Sequence, residues 1–148
     1  MQESDLERII QILRSHQLKV TPARLEVLRI ILNSKEALSF PMLEKMLPHL
    51  DRTTIFRTLS TFLKKSLLHT VPDTEGKLKY AYSNRINTCQ EHIHFTCLNC
   101  HNTCCLPNSH IPFIQLPDGF QYSYANLLVH GFCDTCSQER AATSASYE

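Results

Sequence analysis

Between His92 and Cys105 the chain reads HIHFTCLNCHNTCC. Half of those residues can bind a soft or borderline metal: His92, His94, Cys97, Cys100, His101, Cys104 and Cys105. Cys97-x-x-Cys100 is one knuckle, and Cys133-x-x-Cys136 is a second, beyond a spacer of 32 residues. Two such turns supply four thiolates, a closed tetrahedral set that suits zinc in a structural rather than a catalytic role. The spacer is longer than a zinc ribbon's. It has room for a strand, a short helix and a strand returning to the same end. A pair of redox-active CxxC motifs is the weaker alternative, because neither opens a helix in a thioredoxin-like βαβ setting.

Other candidate ligands remain. On a strand His92 and His94 share a face, since side chains repeat every two residues, and two adjacent imidazoles are a half-site for a transition metal. Cys104 and Cys105 are consecutive, so on a strand they face opposite ways and one of them can join the histidines. Cys89 lies just upstream. The plainer alternative makes His92 and His94 surface strand residues and Cys104 and Cys105 small core residues. The HxH pair beside three unassigned cysteines favours a second metal site. His101 and Cys104 are assigned no role.

The bulk numbers are consistent with metal rather than disulfides. All 7 cysteines lie between Cys89 and Cys136, an odd number that cannot pair completely. A disulfide framework would spread through the fold it staples, so a reducing, cytoplasmic setting is expected. The chain has 148 residues, 43% hydrophobic, which is one ordinary domain or two small ones with a real core. MQESDLERII at the N-terminus is acidic and amphipathic, unlike a signal peptide, and no apolar run approaches a membrane span. Net charge is +1, but residues 1–83 carry thirteen Lys/Arg against nine Asp/Glu and the rest carry two against five. The basic half is the candidate for a nucleic-acid surface.

The elements that must carry these residues follow from periodicity and caps. SDLERIIQILRSH places Leu6, Ile9, Ile10 and Leu13 at helical spacing, with Ser4 and Glu7 as a possible capping box. Thr21-Pro22 opens a second helix with Leu25, Leu28, Ile31 and Leu32 as its stripe. Ser39 caps a short third helix and Asp51 a fourth, RTTIFRTLSTFLKK. LLHTV and KLKYAYS then form a hairpin with Gly76 in its turn. Short helices followed by a two-stranded hairpin make the winged helix-turn-helix pattern. Beyond the polar connector NRINTCQE, the strand HIHFTC could pair with NTCCLP. A short helix fits within SHIPFIQLPDGFQ, a strand within YSYANLLVHGF. The fold class is α+β: residues 1–83 a winged helix, 84–88 a hinge, 89–140 a metal-binding domain and 141–148 a disordered tail.

At about 100° per residue the fourth helix separates Ile55, Leu59, Phe62 and Leu63 from Thr53, Thr54, Arg57, Thr58 and Thr61, with Phe56 at the margin. Arg52 and Lys64-Lys65 bracket the polar face. Those residue types suit a DNA major groove: Arg can grip guanine, Thr can bond bases or phosphates, and an aromatic edge can touch a thymine methyl. The alternative is a solvated amphipathic helix in a bundle. The hairpin that follows favours DNA.

With these motifs in place, the chain resembles the ferric uptake regulator family of metal-sensing repressors, and most closely its zinc uptake regulator branch. The resemblance covers nearly the whole chain. It rests on LKVTPAR (Leu18–Arg24), on DRTTIFRTL (Asp51–Leu59), on HIHFTCLNC, similar to H-x-H-x-x-C-x-x-C, and on HGFCDTC, similar to G-x-C-x-x-C. The resemblance implies a homodimer, each subunit joining a winged helix to a C-terminal αβ dimerisation domain, with metal at the hinge setting the angle between DNA-binding domains. It implies that Lys19 reaches the minor groove and that Phe56 and Arg57 sit near base edges. It implies a structural zinc on Cys97, Cys100, Cys133 and Cys136, and a sensory site that includes His92 and His94.

The departures narrow the metal. Where the iron-sensing branch places a carboxylate five positions after the second knuckle cysteine, this chain has Cys105. Ile93 and Ala125 stand where a further family site needs an acid and a histidine. Zinc-sensing relatives often carry a cysteine ahead of the H-x-H pair, a place Cys89 fits with shorter spacing, and some use the start of the wing, where His69 stands. Histidine with thiolate suits Zn(II) better than the oxygen-rich sets of Mn(II) and Fe(II). The expected sensory set is Cys89, His92, His94 and Cys105, with His69 competing for one place. Each subunit would then hold one structural and one regulatory Zn(II), and a metal-loaded homodimer would repress metal-homeostasis genes by binding a palindromic double-stranded operator. An iron- or peroxide-responsive regulator is the alternative within the family. An enzyme using Cys89 or Cys105 as nucleophile lacks a recognisable oxyanion hole, so no catalytic residue, small-molecule substrate or membrane partner is expected.

Overall fold

A computed structural model of the chain describes residues 3–73, 75–83, 93–106, 109, 111–123 and 125–144. It divides into two compact units, Met1–Pro72 with Lys77–Asn84 and Asp73–Gly76 with Arg85–Glu148. Cys89, His92 and the hinge expected at 84–88 lie outside the described residues. Among those described, no helix is long and apolar enough to cross a membrane.

The first unit begins with α1 (Glu3–Ser15), α2 (Pro22–Asn33), α3 (Phe40–Met46) and α4 (Arg52–Lys64). Three of these open on side-chain caps. Thr21 accepts from the Arg24 amide, Ser39 from the Met42 amide and Asp51 from the Thr54 amide. Each satisfies one of the orphan N–H groups at a helix start. Helix α1 already includes Glu3, so Ser4 stands inside its first turn rather than at a cap. Leu13, Leu28, Leu43, Leu47, Ile55, Leu59 and Phe62 are fully buried, one continuous core under all four helices.

A three-stranded sheet closes the unit in the order β1 (Leu38–Ser39), β3 (Leu78–Tyr82), β2 (Leu68–Pro72). Strands β2 and β3 form the expected hairpin, in register from Leu68↔Tyr82 to Pro72↔Leu78, and Gly76 turns with φ +76°. Strand β1 was not foreseen. Two residues, paired to β3 through Leu38↔Tyr80 and Ser39↔Lys79, are too few to leave a periodic signal.

The second unit is built on β4 (Ile93–Cys97), β5 (Thr103–Leu106), β6 (Leu127–Gly131) and α5 (Asp134–Ser144). The sheet order is β5-β4-β6, with β4 antiparallel to β5 and parallel to β6. A parallel pair needs a long crossover. The short helix expected within it is absent among the described residues. Pro112 and Pro117 remove backbone donors, and a turn closed by the Phe120 amide on the Pro117 carbonyl puts Gly119 at φ +86°. Helix α5 runs to Ser144, into the stretch expected as a tail. It lacks an apolar stripe, but Gln138, Glu139, Arg140, Ala141 and Ala142 are all strong helix formers.

Asp51 is the cap most exposed to test. Its Oδ1 accepts the Thr54 amide at 2.9 Å and its Oδ2 the Thr54 hydroxyl at 2.5 Å. These bonds, the hydroxyl's first, hold its carboxyl below the usual carboxylate range. Asp51→Ala should lower the melting temperature of the first unit by roughly 5 °C, measured by circular dichroism at 222 nm. The loss should shrink as pH falls through the depressed carboxyl pKa, because the carboxylate's contribution to the folded state disappears there.

Candidate metal centres and nucleic-acid face

The parallel pairing of β4 and β6 explains the first metal site. Cys97 ends β4 opposite Gly131, the end of β6, so both knuckles leave the sheet at the same edge. The first knuckle is closed by the Cys97 amide donating to Asn102 O and the His101 amide to Cys97 O, with His101 at φ +59°. The second knuckle is the entry to α5, where the Ser137 amide donates to Cys133 O. Gly131 keeps the convergence uncrowded: a Cβ there would stand 3.1 Å from the Phe95 ring, which would have to give by a few tenths of an ångström.

The four sulfurs of Cys97, Cys100, Cys133 and Cys136 lie within 4.8 Å of one another, and Cys100 Sγ is 3.9 Å from Cys133 Sγ. Zinc–sulfur bonds of about 2.3 Å place tetrahedral thiolates roughly 3.8 Å apart. All four are free thiols rather than disulfides. Amide hydrogen bonds, from Cys100 first and then Cys133, hold Cys97 down to about 6. The Asn99 side chain favours the Cys136 thiolate, but hydrogen bonding with Cys133, burial and the other thiols outweigh it and push Cys136 up to about 12. Thiols this close cannot all ionise beside one another. A divalent cation removes that conflict, so the donor set fits zinc and leaves no open coordination position.

A second, smaller grouping lies on the same sheet. His94 on β4 pairs with Cys105 on β5, and their ligand atoms come within 4.8 Å. Directly opposed residues point to the same face, so Cys105, and not Cys104, shares the face of His94. Cys104 pairs with Phe95 on the other side. Next along the same face the buried Thr96 and Thr103 hydroxyls meet at 3.1 Å. Burial, and then the neighbouring charge of Cys104, push the Cys105 thiol up to about 11. His69, in the first unit, is half-buried on β2 with its Nδ1 3.2 Å from Ser83 Oγ.

The recognition-helix candidates sort differently from the helical projection. Thr53, Phe56 and Arg57 are exposed on α4, and Phe56 is 58% exposed despite its size. Lys19 is exposed in the turn before α2, where the Arg24 guanidinium donates to its carbonyl at 2.8 Å. Thr54 is tied to Asp51. Thr58, expected on the polar face, is only 6% exposed. It falls at i+3 from Ile55 and i−4 from Phe62, inside the apolar stripe, so its spacing outweighs its polarity. Arg52 is held by α3: its Nη1 lies 3.4 Å from Glu44 Oε1 and its Cζ 5.1 Å from the Phe40 ring centre. The Phe40 and Phe56 rings meet edge to face at 6.4 Å. Sequence reasoning missed Phe40 and Glu44. Their i, i+4 spacing on α3 was the available signal.

These features agree with comparisons to known proteins. A family model described as the ferric uptake regulator family matches residues 15–116. The peroxide operon regulator of Bacillus subtilis (strain 168) is 22% identical over 152 residues, covering 94% of this chain and 98% of that protein. A solved zinc uptake regulator complexed with zinc and DNA has a TM-score of 0.65 at 20% identity, covering 94% of this chain and 97% of the other. The Vibrio cholerae ferric uptake regulator follows the same fold with a TM-score of 0.58 at 22% identity, covering 83% of this chain and 98% of its own. The family match extends over well more than half of the sequence, from the end of α1 into the crossover after β5, and on that ground the chain belongs to the ferric uptake regulator family of transcriptional regulators.

Proposed function

We propose that this chain is a zinc-responsive repressor that binds a palindromic operator as a metal-loaded homodimer. The observation that carries the reading is the His94–Cys105 pair, an imidazole facing a thiol where iron-sensing relatives are expected to place a carboxylate. Cys97, Cys100, Cys133 and Cys136 hold a permanent structural zinc. His94 and Cys105 belong to a second, exchangeable set completed by Cys89 and His92, with His69 competing for one place. A regulatory ion would supply one thing there, a multivalent tie among side chains that come from separate stretches of the chain.

Metal binding by this set favours one arrangement of the dimer through its differential affinity for that arrangement. In it, two α4 helices enter successive major grooves one helical turn apart. Phe56, Arg57 and Thr53 face the bases, and Lys19 reaches the adjacent minor groove. When zinc is scarce the set empties and the operator is released. The peroxide-regulator relative favours the alternative of an iron- or peroxide-responsive protein. The thiol at Cys105 favours zinc, because soft donors select it over Mn(II) and Fe(II).

A gel-shift titration with Zn(II), Fe(II) and Mn(II) tests the reading. DNA binding should appear with zinc at the lowest free-ion level, and Cys105→Ser should remove that response. Equal DNA binding with the second set shown to be empty would sink it. Cys105 adds a pH signature. Its proton, held up to about 11, must leave when metal binds. Affinity at this site should therefore rise with pH through the neutral range, by up to about tenfold per unit. Competition against a chromophoric chelator at two pH values measures this, and a flat response would exclude Cys105 as a ligand.

A further inference from the structure

At the first turn of α4 a cation stands where the helix dipole disfavours one. Arg52 is the first helical residue after the Asp51 cap, and the guanidinium is occupied. Glu44, 3.4 Å away, and the face of Phe40, with its centre 5.1 Å away, both come from α3, one turn apart. The other acid at this helix end is committed elsewhere, since both Asp51 oxygens accept from Thr54. The Arg52 side chain is 77% exposed and that of Glu44 30%, so neither partner holds it strongly alone. An exposed ion pair and an exposed cation–π contact together amount to roughly a tenfold bias of the side chain toward α3.

We infer that Glu44 and Phe40 withhold Arg52 from DNA phosphates, which makes Glu44 a specificity-determining residue of the DNA-binding unit. The inference rests on reading α4 as the helix that enters the groove. Phosphate contacts add affinity for any sequence, whereas base contacts add it only for the right one. An arginine kept on α3 removes one non-specific contact per subunit and leaves discrimination to Phe56 and Arg57. Glu44 also places a negative charge beside the approaching backbone, a penalty that every duplex meets and that only a duplex with good base contacts offsets.

The test is a double-mutant cycle on the full zinc-loaded chain with a random-sequence duplex of about 30 bp, read as affinity against salt. Glu44→Gln should tighten binding to this duplex about three- to tenfold at low salt and steepen the log–log salt slope by about one per subunit. In an Arg52→Gln background the same Glu44→Gln change should give a clearly smaller gain, the part due to lost repulsion alone. Thermal melting of each variant checks that the first unit is intact. An unchanged salt slope in Glu44→Gln overturns the inference. So does an equal gain in the Arg52→Gln background, which would mean that Glu44 acts by repulsion alone. If the wild-type chain binds no duplex at all, the groove-entering role of α4 fails and this inference with it, a result distinct from an additive cycle.

Discussion

Replacing Cys133 with Ser should strip the tightly held zinc and unfold the second unit, while the first unit keeps its own melting transition. The reason is where the core lies. Every residue of the continuous buried apolar cluster belongs to the first unit. In the second, the buried described residues are His94, Thr96, Cys97, Thr103 and Cys136. That is a largely polar interior with two of the four clustered cysteines in it; Ile93, Phe95, Leu106, Leu127 and Leu128 are only half-buried, and Phe113 is 94% exposed. A sheet of three short strands does not hold itself together on such a set. A structural zinc is worth roughly 10 kcal/mol or more of folding energy in a small domain. Zinc content by mass spectrometry and calorimetric melting would show the loss directly. Cys104→Ser, which leaves all four ligands in place, is the control. Retention of bound zinc and of a single intact transition in Cys133→Ser would show that the four thiols do not form one site.

Arg57→Ala should abolish sequence-specific DNA binding without unfolding the chain. Arg57 is exposed on α4, one position beyond Phe56, on the face left free by the buried stripe Ile55, Thr58, Leu59 and Phe62. Its main contact within the helix is made by its carbonyl, which accepts the Thr61 hydroxyl at 2.8 Å, so the change to alanine leaves the packing of α4 alone. A good arginine–guanine contact carries enough discrimination that losing it in both subunits should weaken operator binding by on the order of a hundredfold or more. Binding to random duplex should fall far less. Thr58→Ala should do the reverse, lowering stability and leaving the specificity ratio unchanged, because Thr58 is buried. Fluorescence anisotropy with operator and random duplexes at one salt concentration separates the two outcomes. Equal losses on both duplexes in Arg57→Ala would show that Arg57 contacts phosphate rather than a base.

What could be read in advance depended on how local the determining forces were. Thr21, Ser39 and Asp51 announced their helices because a cap acts within four residues, and the paired cysteines announced their site because the spacing of a knuckle is itself the geometry. Arg52 and Thr58 were placed with the groove-facing residues because a projection of α4 alone treats every polar side chain as solvent-facing. Packing against Ile55 and Phe62 buries Thr58 instead, and Arg52, though 77% exposed, lies against Glu44 and Phe40 of α3. Strand β1 was too short to show a period, and its partner β3 lies about forty residues away. Helix α5 carries no apolar stripe, so its sequence has no helical period to show, and a helix with clustered cysteines at its start does not need one. Strand alternation alone does not choose Cys105 over Cys104, because consecutive strand residues are equivalent until the register with β4 is known; the family resemblance points to Cys105, and the register sets it opposite His94.

The order of the second sheet also bears on synthesis. The first unit is complete once the ribosome has delivered residue 84, and its helices make mostly local contacts, so it can fold as it emerges. The central strand β4 then waits for its parallel neighbour β6, and the first knuckle for a second that is made 33 positions later. Nascent chains therefore carry a finished winged helix alongside open thiols. With zinc as the ion proposed for these four thiols, a newly made copy would close its second unit only once the metal is at hand, so the metal would act on the making of the protein as well as on finished copies.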